Sequence, residues 1–211
     1  MELADGHPLT ISMPSTVVDA VNHFVFINHS IICEDITVLD FGQSYTMPTP
    51  PPDYKPGVPA HYTSPELFFD NQICQATDIW ALGCAIFEIV TGYYLFECFG
   101  SSHAVMEDVA HMLGPFPEPW WSQWDFRKNW LKACEEYPEY HERSSLSRKI
   151  RTIGDPEDPR EEMRHTFFES EFPPLPVKEA DMLIDLLSKM LKERPQDRIT
   201  MEEVMQHPWF A

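Results

Sequence analysis

Apolar residues repeat with helical spacing in several parts of the chain, most strongly over 77–92. There they occupy almost the whole circumference of the predicted helix, which Thr77 or Asp78 would cap at its start. Gly92 would end it, because glycine most easily adopts the left-handed conformation that closes a helix. A helix with so little polar surface has to be covered from several sides. We therefore predict a central, buried helix at 77–92.

Three further helices follow from the same reasoning. Residues 101–113 form a helical pattern that ends at Gly-Pro, and 179–191 carry their apolar residues on one broad face. Thr200 and Glu203 have the spacing of a capping box and open a last helix. Short apolar runs within 17–32 predict a few N-terminal strands. The predicted fold class is mainly α, with helices packed around 77–92.

Length and cysteine usage set the broad class of protein. A chain of 211 residues can bury one sizeable core, so one domain is expected. No apolar run is long enough to span a membrane, and the N-terminus has no signal-peptide pattern. Five scattered cysteines without a paired spacing predict neither a disulfide framework nor a zinc site. We expect an intracellular protein, cytoplasmic, nuclear or both, without a membrane association.

The net charge of −19 changes the expected partners. It argues against direct nucleic-acid binding, because affinity for the phosphate backbone comes from Lys and Arg. It is compatible with attraction of basic partners. The alternative is a solvated acidic surface that only keeps the protein soluble, and the sequence does not show whether the charges cluster.

Short motifs then follow one another along the chain. They are Asp40-Phe41-Gly42 after an apolar run, Ser64-Pro65-Glu66, the DIWALG of the predicted central helix, RPQDRIT at 194–200 and HPWF at 207–210. In this order and at these spacings the chain resembles the C-terminal lobe of a eukaryotic protein kinase. The stretches AHYTSPE, DIWALGCAIFEI and LGPFPEPWW are more narrowly similar to fungal SR-protein-kinase-like enzymes of the CMGC group.

The resemblance implies a domain layout and an activity. Residues 1–35 would be a poorly patterned N-terminal segment and 36–211 a partial kinase domain, with a CMGC-type insert at about 97–176. The implied activity is ATP-dependent phosphoryl transfer to Ser or Thr of protein substrates, in this subgroup Arg/Ser-rich ones, with ATP and Mg²⁺ as cofactors.

The resemblance also assigns roles to the Asp-Phe-Gly triplet. The Asp40 carboxylate would bind the Mg²⁺ that bridges the ATP phosphates, Phe41 would pack into the core, and Gly42 would permit the backbone turn. The alternative is an ordinary turn after a strand, where Asp and Gly are both favoured.

Other kinase parts are missing from the sequence. The first basic residue is Lys55, and there is no glycine-rich loop and no catalytic Asp with its Asn. Asn28 lies at a suitable distance before Asp40, but His23 and Val25 stand where the catalytic Asp and its Lys partner belong. We therefore assign no catalytic residue and expect a truncated chain that is inactive as such. The alternative is a pseudokinase-like interaction module that binds basic or Arg/Ser-rich partners.

Five residues receive structural roles from the resemblance. Glu66 and Arg198 would form a buried ion pair, and Trp80 and Gly83 would belong to the frame around the central helix. In the family, Asp78 accepts hydrogen bonds from the catalytic-loop backbone. That loop is missing here, so Asp78 is either a helix cap or a residue without its partner.

Two segments carry open alternatives. The proline-rich stretch 43–61 corresponds to the activation loop, where Ser44, Tyr45, Thr46 or Thr49 would be phosphorylated, or it is a rigid surface loop. Four tryptophans within 120–130 form either packing or a stacking platform, and packing is favoured because few basic residues surround them.

Overall fold

The computed structural model describes residues 37–46, 51–97, 101–137, 144–155 and 174–210. The chain divides into two compact units, residues 1–42 and 43–211. The described α-helices are α1 (Pro65–Asp70), α2 (Gln75–Thr91), α3 (Ser102–Leu113), α4 (Trp120–Gln123), α5 (Arg127–Glu136), α6 (Leu146–Arg151), α7 (Val177–Met190) and α8 (Met201–Met205). Short 3₁₀ turns lie at Phe41–Gln43, Ala60–Tyr62, Pro195–Asp197 and Pro208–Phe210.

The mainly helical fold class is confirmed for the described part, which contains no strand. The predicted N-terminal strands at 17–32 lie outside the described residues. None of the helices in the described ranges is long and apolar enough to cross a membrane.

Helix α2 is the predicted central helix, but it begins earlier than predicted. Its N-cap is Cys74, whose backbone N–H donates to Thr77 Oγ1 at 3.1 Å. The prediction that Thr77 or Asp78 caps the helix was therefore wrong, since both residues lie inside its first turn. The predicted end is confirmed: Gly92 has a φ of 74°, in the left-handed region.

The burial of α2 is extensive but not complete. Trp80, Phe87 and Thr91 are fully buried, and five other residues along the helix are buried to a slightly lesser degree. Ile89, by contrast, is 71% exposed. The prediction of a buried central helix covered from several sides is therefore confirmed, and one stripe that includes Ile89 stays uncovered by the described elements.

Helix α7 packs against α2 and α6. Its buried face carries Leu183, Leu186, Leu187 and Met190, which are all inaccessible to solvent. The broad apolar face predicted for 179–191 is thus present, although the helix starts at Val177 and ends one residue earlier. The face supplies the apolar area that fixes α7 to the core.

The C-terminal elements are held by local polar contacts. Thr200 and Glu203 form the predicted capping box of α8, with the Thr200 N–H donating to Glu203 Oε2 at 2.8 Å. The Asp185 carboxylate of α7 accepts from Lys189 Nζ at 2.5 Å and contacts Nε2 of the buried His207 at 2.9 Å. These contacts connect α7 to the last 3₁₀ turn.

The tryptophan-rich segment forms part of the core. Trp120, Trp124 and Trp130 are buried. Trp120 stacks on Phe69 with ring centroids 5.5 Å apart, and its indole N–H donates to Asp70 Oδ2 at 2.8 Å. The packing interpretation of these tryptophans is therefore confirmed in place of a stacking platform.

Candidate functional site

The Asp40-Phe41-Gly42 triplet is exposed and has an unusual backbone. Asp40 adopts φ 62°, in the left-handed region, where Asp and Asn are the most tolerated residues after glycine. Gly42 has no such conformation, so the turn rests on the Asp rather than on the Gly that the resemblance implied. Phe41 is 65% exposed, whereas the resemblance implied packing into the core.

Glu66 and Arg198 lie side by side in the core. Glu66 is the second residue of α1, placed there by Pro65, whose fixed φ suits the first helical turn. Arg198 Nη2 lies 2.6 Å from Glu66 Oε2, and Nη1 lies 2.8 Å from Oε1, so the contact is bidentate. Both side chains are completely inaccessible to solvent. The pair joins α1 to the segment between α7 and α8.

The guanidinium of Arg198 has all five of its N–H donors engaged. Besides the two bonds to Glu66, Nε donates to Lys192 O at 2.8 Å, Nη1 to Ala76 O at 2.7 Å and Nη2 to Glu193 O at 3.1 Å. Five donors in one planar fork is the full capacity of an arginine. Because each donor has an acceptor, this buried cation is fully satisfied.

Two further residues complete this cluster, and one of them was not predicted. Thr77 Oγ1 donates to Glu66 Oε1 at 2.9 Å. Thr77 also accepts from the Cys74 N–H, so one hydroxyl connects the start of α2 to the ion pair. Trp80, in the next turn, lies under the guanidinium with 4.9 Å from Arg198 Cζ to the ring centroid. The sequence alone gives no indication that Thr77 contacts the ion pair, because its partner Glu66 lies on another helix, eleven residues earlier in the chain.

Gly83 marks the close approach of α2 to α7. A Cβ added at this position would lie 3.3 Å from Leu191 Cδ2 and 3.3 Å from Met190 Cβ. These contacts are tighter than ordinary van der Waals packing. A glycine here lets the two helices approach.

Asp78 does not cap α2, and it does not join the ion-pair cluster. It lines a separate cavity with Tyr45 and Cys74. Asp78 is exposed, and within the described ranges its carboxylate has no hydrogen bond or ion pair. Desolvation raises the pKa of this carboxyl above its ordinary value.

The residues present can meet only part of the needs of ATP and Mg²⁺. Mg²⁺ prefers oxygen ligands and is usually held by one or two carboxylates together with the substrate phosphates. Asp40 can supply one such carboxylate, but no cluster of three metal-ligating side chains occurs in the described part of the chain. Nor does the sequence hold a lysine upstream of Asp40 that could hold the phosphates. We therefore derive no phosphoryl-transfer step from these residues.

Comparison with known proteins gives the family. Residues 25–210 match the protein kinase domain. The chain is 30% identical over 153 residues to dual specificity protein kinase CLK2 of Homo sapiens, covering 72% of the chain and 27% of that protein. It is 28% identical over 186 residues to CLK1 of Mus musculus, covering 86% of the chain and 34% of that protein. It is 29% identical over 192 residues to serine/threonine-protein kinase AFC2 of Arabidopsis thaliana, covering 83% of the chain and 38% of that protein.

The chain belongs to the protein kinase domain family. Its similarity to these enzymes supports a CMGC protein kinase of the Ser/Thr family. The chain spans between about a quarter and two fifths of the length of these curated relatives.

Proposed function

We propose that this chain is the C-terminal lobe of a protein Ser/Thr kinase that transfers the γ-phosphoryl group of ATP to protein substrates. The observation that carries this proposal is the buried Glu66–Arg198 pair between α1 and the α7–α8 segment. Both residues of this pair lie within residues 25–210, which match the protein kinase domain. The described residues of the segment after Asp40, 41–46 and 51–59, are mostly exposed, so they are accessible to a protein substrate.

We further propose that the 211-residue polypeptide alone does not transfer phosphoryl groups. Asp40 is the single ATP-handling residue that we assign in this sequence, and Lys55 is its first cation. Phosphoryl transfer depends on charge stabilisation by several preorganised groups, and an arginine or lysine of that kind is worth orders of magnitude in rate. Loss of the lysine and the catalytic Asp together removes that stabilisation.

The test compares the purified chain with its Asp40→Ala and Asp40→Asn variants. Each is incubated with radiolabelled ATP, Mg²⁺ and an Arg/Ser repeat peptide, and with the same peptide carrying Ala in place of Ser. We expect equal, background incorporation for all three proteins. Incorporation by the unmodified chain that exceeds both variants and requires the peptide serines would refute inactivity and support the kinase assignment directly.

A second candidate function is binding of basic or Arg/Ser-rich partners without catalysis. It is favoured by the net charge of −19. Acidic side chains are exposed on α1, on α5 and in the segment between α3 and α5, at Asp70, Glu118, Asp125, Glu135 and Glu136. Attraction between exposed charges is screened by salt, with a Debye length of about 10 Å at 0.1 M.

This electrostatic binding is tested by capture of an Arg/Ser peptide on the immobilised chain. We expect binding at 0.05 M salt that falls strongly by 0.5 M, and no binding of a peptide with citrulline in place of arginine. Binding that is unchanged at 0.5 M salt would show that the contact is not electrostatic. We also propose that the chain is related to fungal SR-protein-kinase-like enzymes and that the protein is intracellular.

The mass of the endogenous polypeptide separates the two functions. Peptides from 78–88 and from the C-terminus would identify the protein in its source cells. A mass well above 24.5 kDa that includes an upstream lysine strand supports the catalytic proposal. A mass of 24.5 kDa supports the binding proposal.

A further inference from the structure

His207 connects the last 3₁₀ turn to α7. The residue follows α8 and is buried, with 5% of its surface exposed. Its ring Nε2 lies 2.9 Å from Asp185 Oδ2 of α7, and its ring Nδ1 accepts the backbone N–H of Trp209 at 3.3 Å. Trp209 belongs to the turn Pro208–Phe210 and is partly buried against the core. Both ring nitrogens of His207 are thus engaged by described residues.

These two contacts define the position of the proton on the His207 ring. A backbone N–H can only donate, so Nδ1 has to present a lone pair to Trp209. In the neutral imidazole the proton therefore lies on Nε2, which donates it to the Asp185 carboxylate. Protonation of the ring places a second N–H on Nδ1, where it faces the Trp209 N–H. Two donors form no hydrogen bond, so the charged ring loses Trp209 while it keeps Asp185.

The charged neighbours of the ring keep their charge near neutral pH. On α7 the hydrogen bond from Lys189 lowers the pKa of Asp185, and on α8 the hydrogen bond from the Thr200 backbone lowers the pKa of Glu203. The other charged residues of the cavity wall beside the ring are Lys192, Asp197 and Arg198. Carboxylates, ammonium groups and guanidinium groups ordinarily titrate far from neutrality, whereas an imidazole ordinarily changes its charge between about pH 5 and 8. Within this described cluster the change of charge therefore falls on His207.

We propose that His207 is a pH-sensitive switch that closes the C-terminal turn Pro208–Phe210 when its ring is neutral and releases the turn when its ring is charged. In the closed state the Trp209 N–H is bonded to Nδ1. In the released state the ring pairs with the Asp185 carboxylate alone and the Trp209 N–H turns to water, so the turn opens more often. The contact with α7 persists in both states, so α7 stays packed. Neither state requires phosphoryl transfer, so the switch is independent of the proposed kinase function.

The proton position is tested first, on the full chain with ¹⁵N-labelled histidines. Long-range ¹H–¹⁵N spectra distinguish a ring nitrogen that carries a proton from one that does not, and the His207 signals are identified by their loss in His207→Asn. At pH 8 we expect a bare Nδ1 and a protonated Nε2. The opposite tautomer, or a ring that is already charged at pH 8, would overturn the proposal. The same spectra at lower pH give the midpoint of the ring titration.

Hydrogen exchange of the Trp209 amide then tests the release of the turn. The protection factor divides the intrinsic exchange rate at each pH by the observed rate, which removes the ordinary pH dependence of exchange. One net hydrogen bond corresponds to a factor of about five in an opening equilibrium, so we expect Trp209 protection to fall about fivefold with the midpoint of the ring titration. The Leu191 N–H, which donates to Leu187 O at 2.9 Å, is the internal control and should keep its protection. Unchanged Trp209 protection, or an equal fall at Leu191, would overturn the switch.

Two substitutions separate the roles of the two ring nitrogens. His207→Asn keeps a side-chain acceptor near the position of Nδ1, so Trp209 protection should be high and independent of pH. His207→Gln keeps a donor near the position of Nε2 for Asp185 but no acceptor for the turn, so Trp209 protection should be low and independent of pH. His103→Gln is the matched control, because His103 is exposed on α3, and it should keep the fivefold fall. A fall of the same size in His207→Asn would contradict the switch. The measurements on the unmodified chain decide the question even if a variant does not fold.

Discussion

Removal of the Arg198 guanidinium should destabilise the fold severely. The Glu66 carboxylate is completely buried, and in Arg198→Ala it keeps, among the described residues, only the Thr77 hydroxyl as a donor. Breaking a buried ion pair by removing one partner costs about 3–5 kcal/mol, because the other charge is left uncompensated. A domain typically has about 5–15 kcal/mol of total stability. The loss is therefore a large fraction of the free energy of unfolding.

Arg198→Lys tests whether the geometry matters beyond the charge. A lysine ammonium has three donors, whereas the guanidinium of Arg198 uses five. At least two acceptors would lose their partner. At about 0.5–1.5 kcal/mol for each hydrogen bond, the expected loss is about 1–3 kcal/mol. Arg198→Lys should thus lie between the unmodified chain and Arg198→Ala.

The assay is urea unfolding at pH 7 followed by tryptophan fluorescence. With a denaturant slope of about 2 kcal/mol per molar, Arg198→Ala should lower the midpoint by roughly 1.5–2.5 M and Arg198→Lys by roughly 0.5–1.5 M. Arg151→Ala is the matched control, because Arg151 forms an ion pair with Asp181 in which both side chains are about half exposed. An exposed pair contributes about 0–1 kcal/mol, so its midpoint should hardly move.

The reasoning is refuted if Arg198→Ala shifts the midpoint no more than Arg151→Ala does. It is also refuted if the effects of Arg198→Met and Glu66→Leu add in the double variant, because an apolar replacement of both partners should recover most of the loss. If Arg198→Ala is unfolded without urea, Thr77→Val takes its place. That variant removes the hydrogen bond to Glu66 and the one from the Cys74 N–H, and should cost about 1–3 kcal/mol.

Three further predictions concern contacts of the helices α2, α7 and α4. Gly83→Ala should destabilise by about 1–3 kcal/mol, because overpacking against Leu191 outweighs the gain of up to about 1 kcal/mol in helix propensity; a higher urea midpoint would contradict this. The hydrogen bond from Lys189 is the main cause that lowers the Asp185 pKa below 3.8, so Asp185 stabilises the fold above that pH and loses this contribution as the pH falls through the lowered pKa. The midpoint difference between Asp185→Asn and the unmodified chain should accordingly be present at pH 6 and shrink as the pH is lowered below 3.8. Trp120→Phe keeps the ring but loses the indole N–H, and should cost about 1 kcal/mol by thermal unfolding, whereas no change would show that the hydrogen bond does not contribute.

Much of the helical frame could be predicted because its signals are local. The apolar period of 101–113 and 179–191, the left-handed Gly92 and the capping box at Thr200 depend on neighbours within a few residues. The structure places the four predicted helices within about two residues of their predicted limits. The contact between Glu66 and Arg198 is not local, and it was expected only through the resemblance to kinases.

The features that were missed depend on contacts between distant residues. The start of α2 is fixed by Cys74 and by a hydroxyl at Thr77 that also serves Glu66. No periodic pattern reports that double use. The exposure of Ile89 depends on which elements cover α2. A sequence pattern cannot distinguish an exposed isoleucine from a buried one at the same helical position. The left-handed Asp40 was missed because the neighbouring glycine was the more obvious residue for the turn.

Stability and any chemistry at Asp40 should respond to different substitutions. Glu66 and Arg198 are buried and fully paired, whereas Asp40 is exposed and its φ is 62°. Alanine in that conformation costs about 1–2 kcal/mol, while asparagine tolerates it, so Asp40→Asn removes the charge with less backbone strain than Asp40→Ala. If Asp40→Ala lowers the urea midpoint and Asp40→Asn does not, the loss comes from the backbone and not from the carboxylate. A ligand effect that disappears in both variants would then belong to the carboxylate, because the Asp40→Asn chain retains its stability.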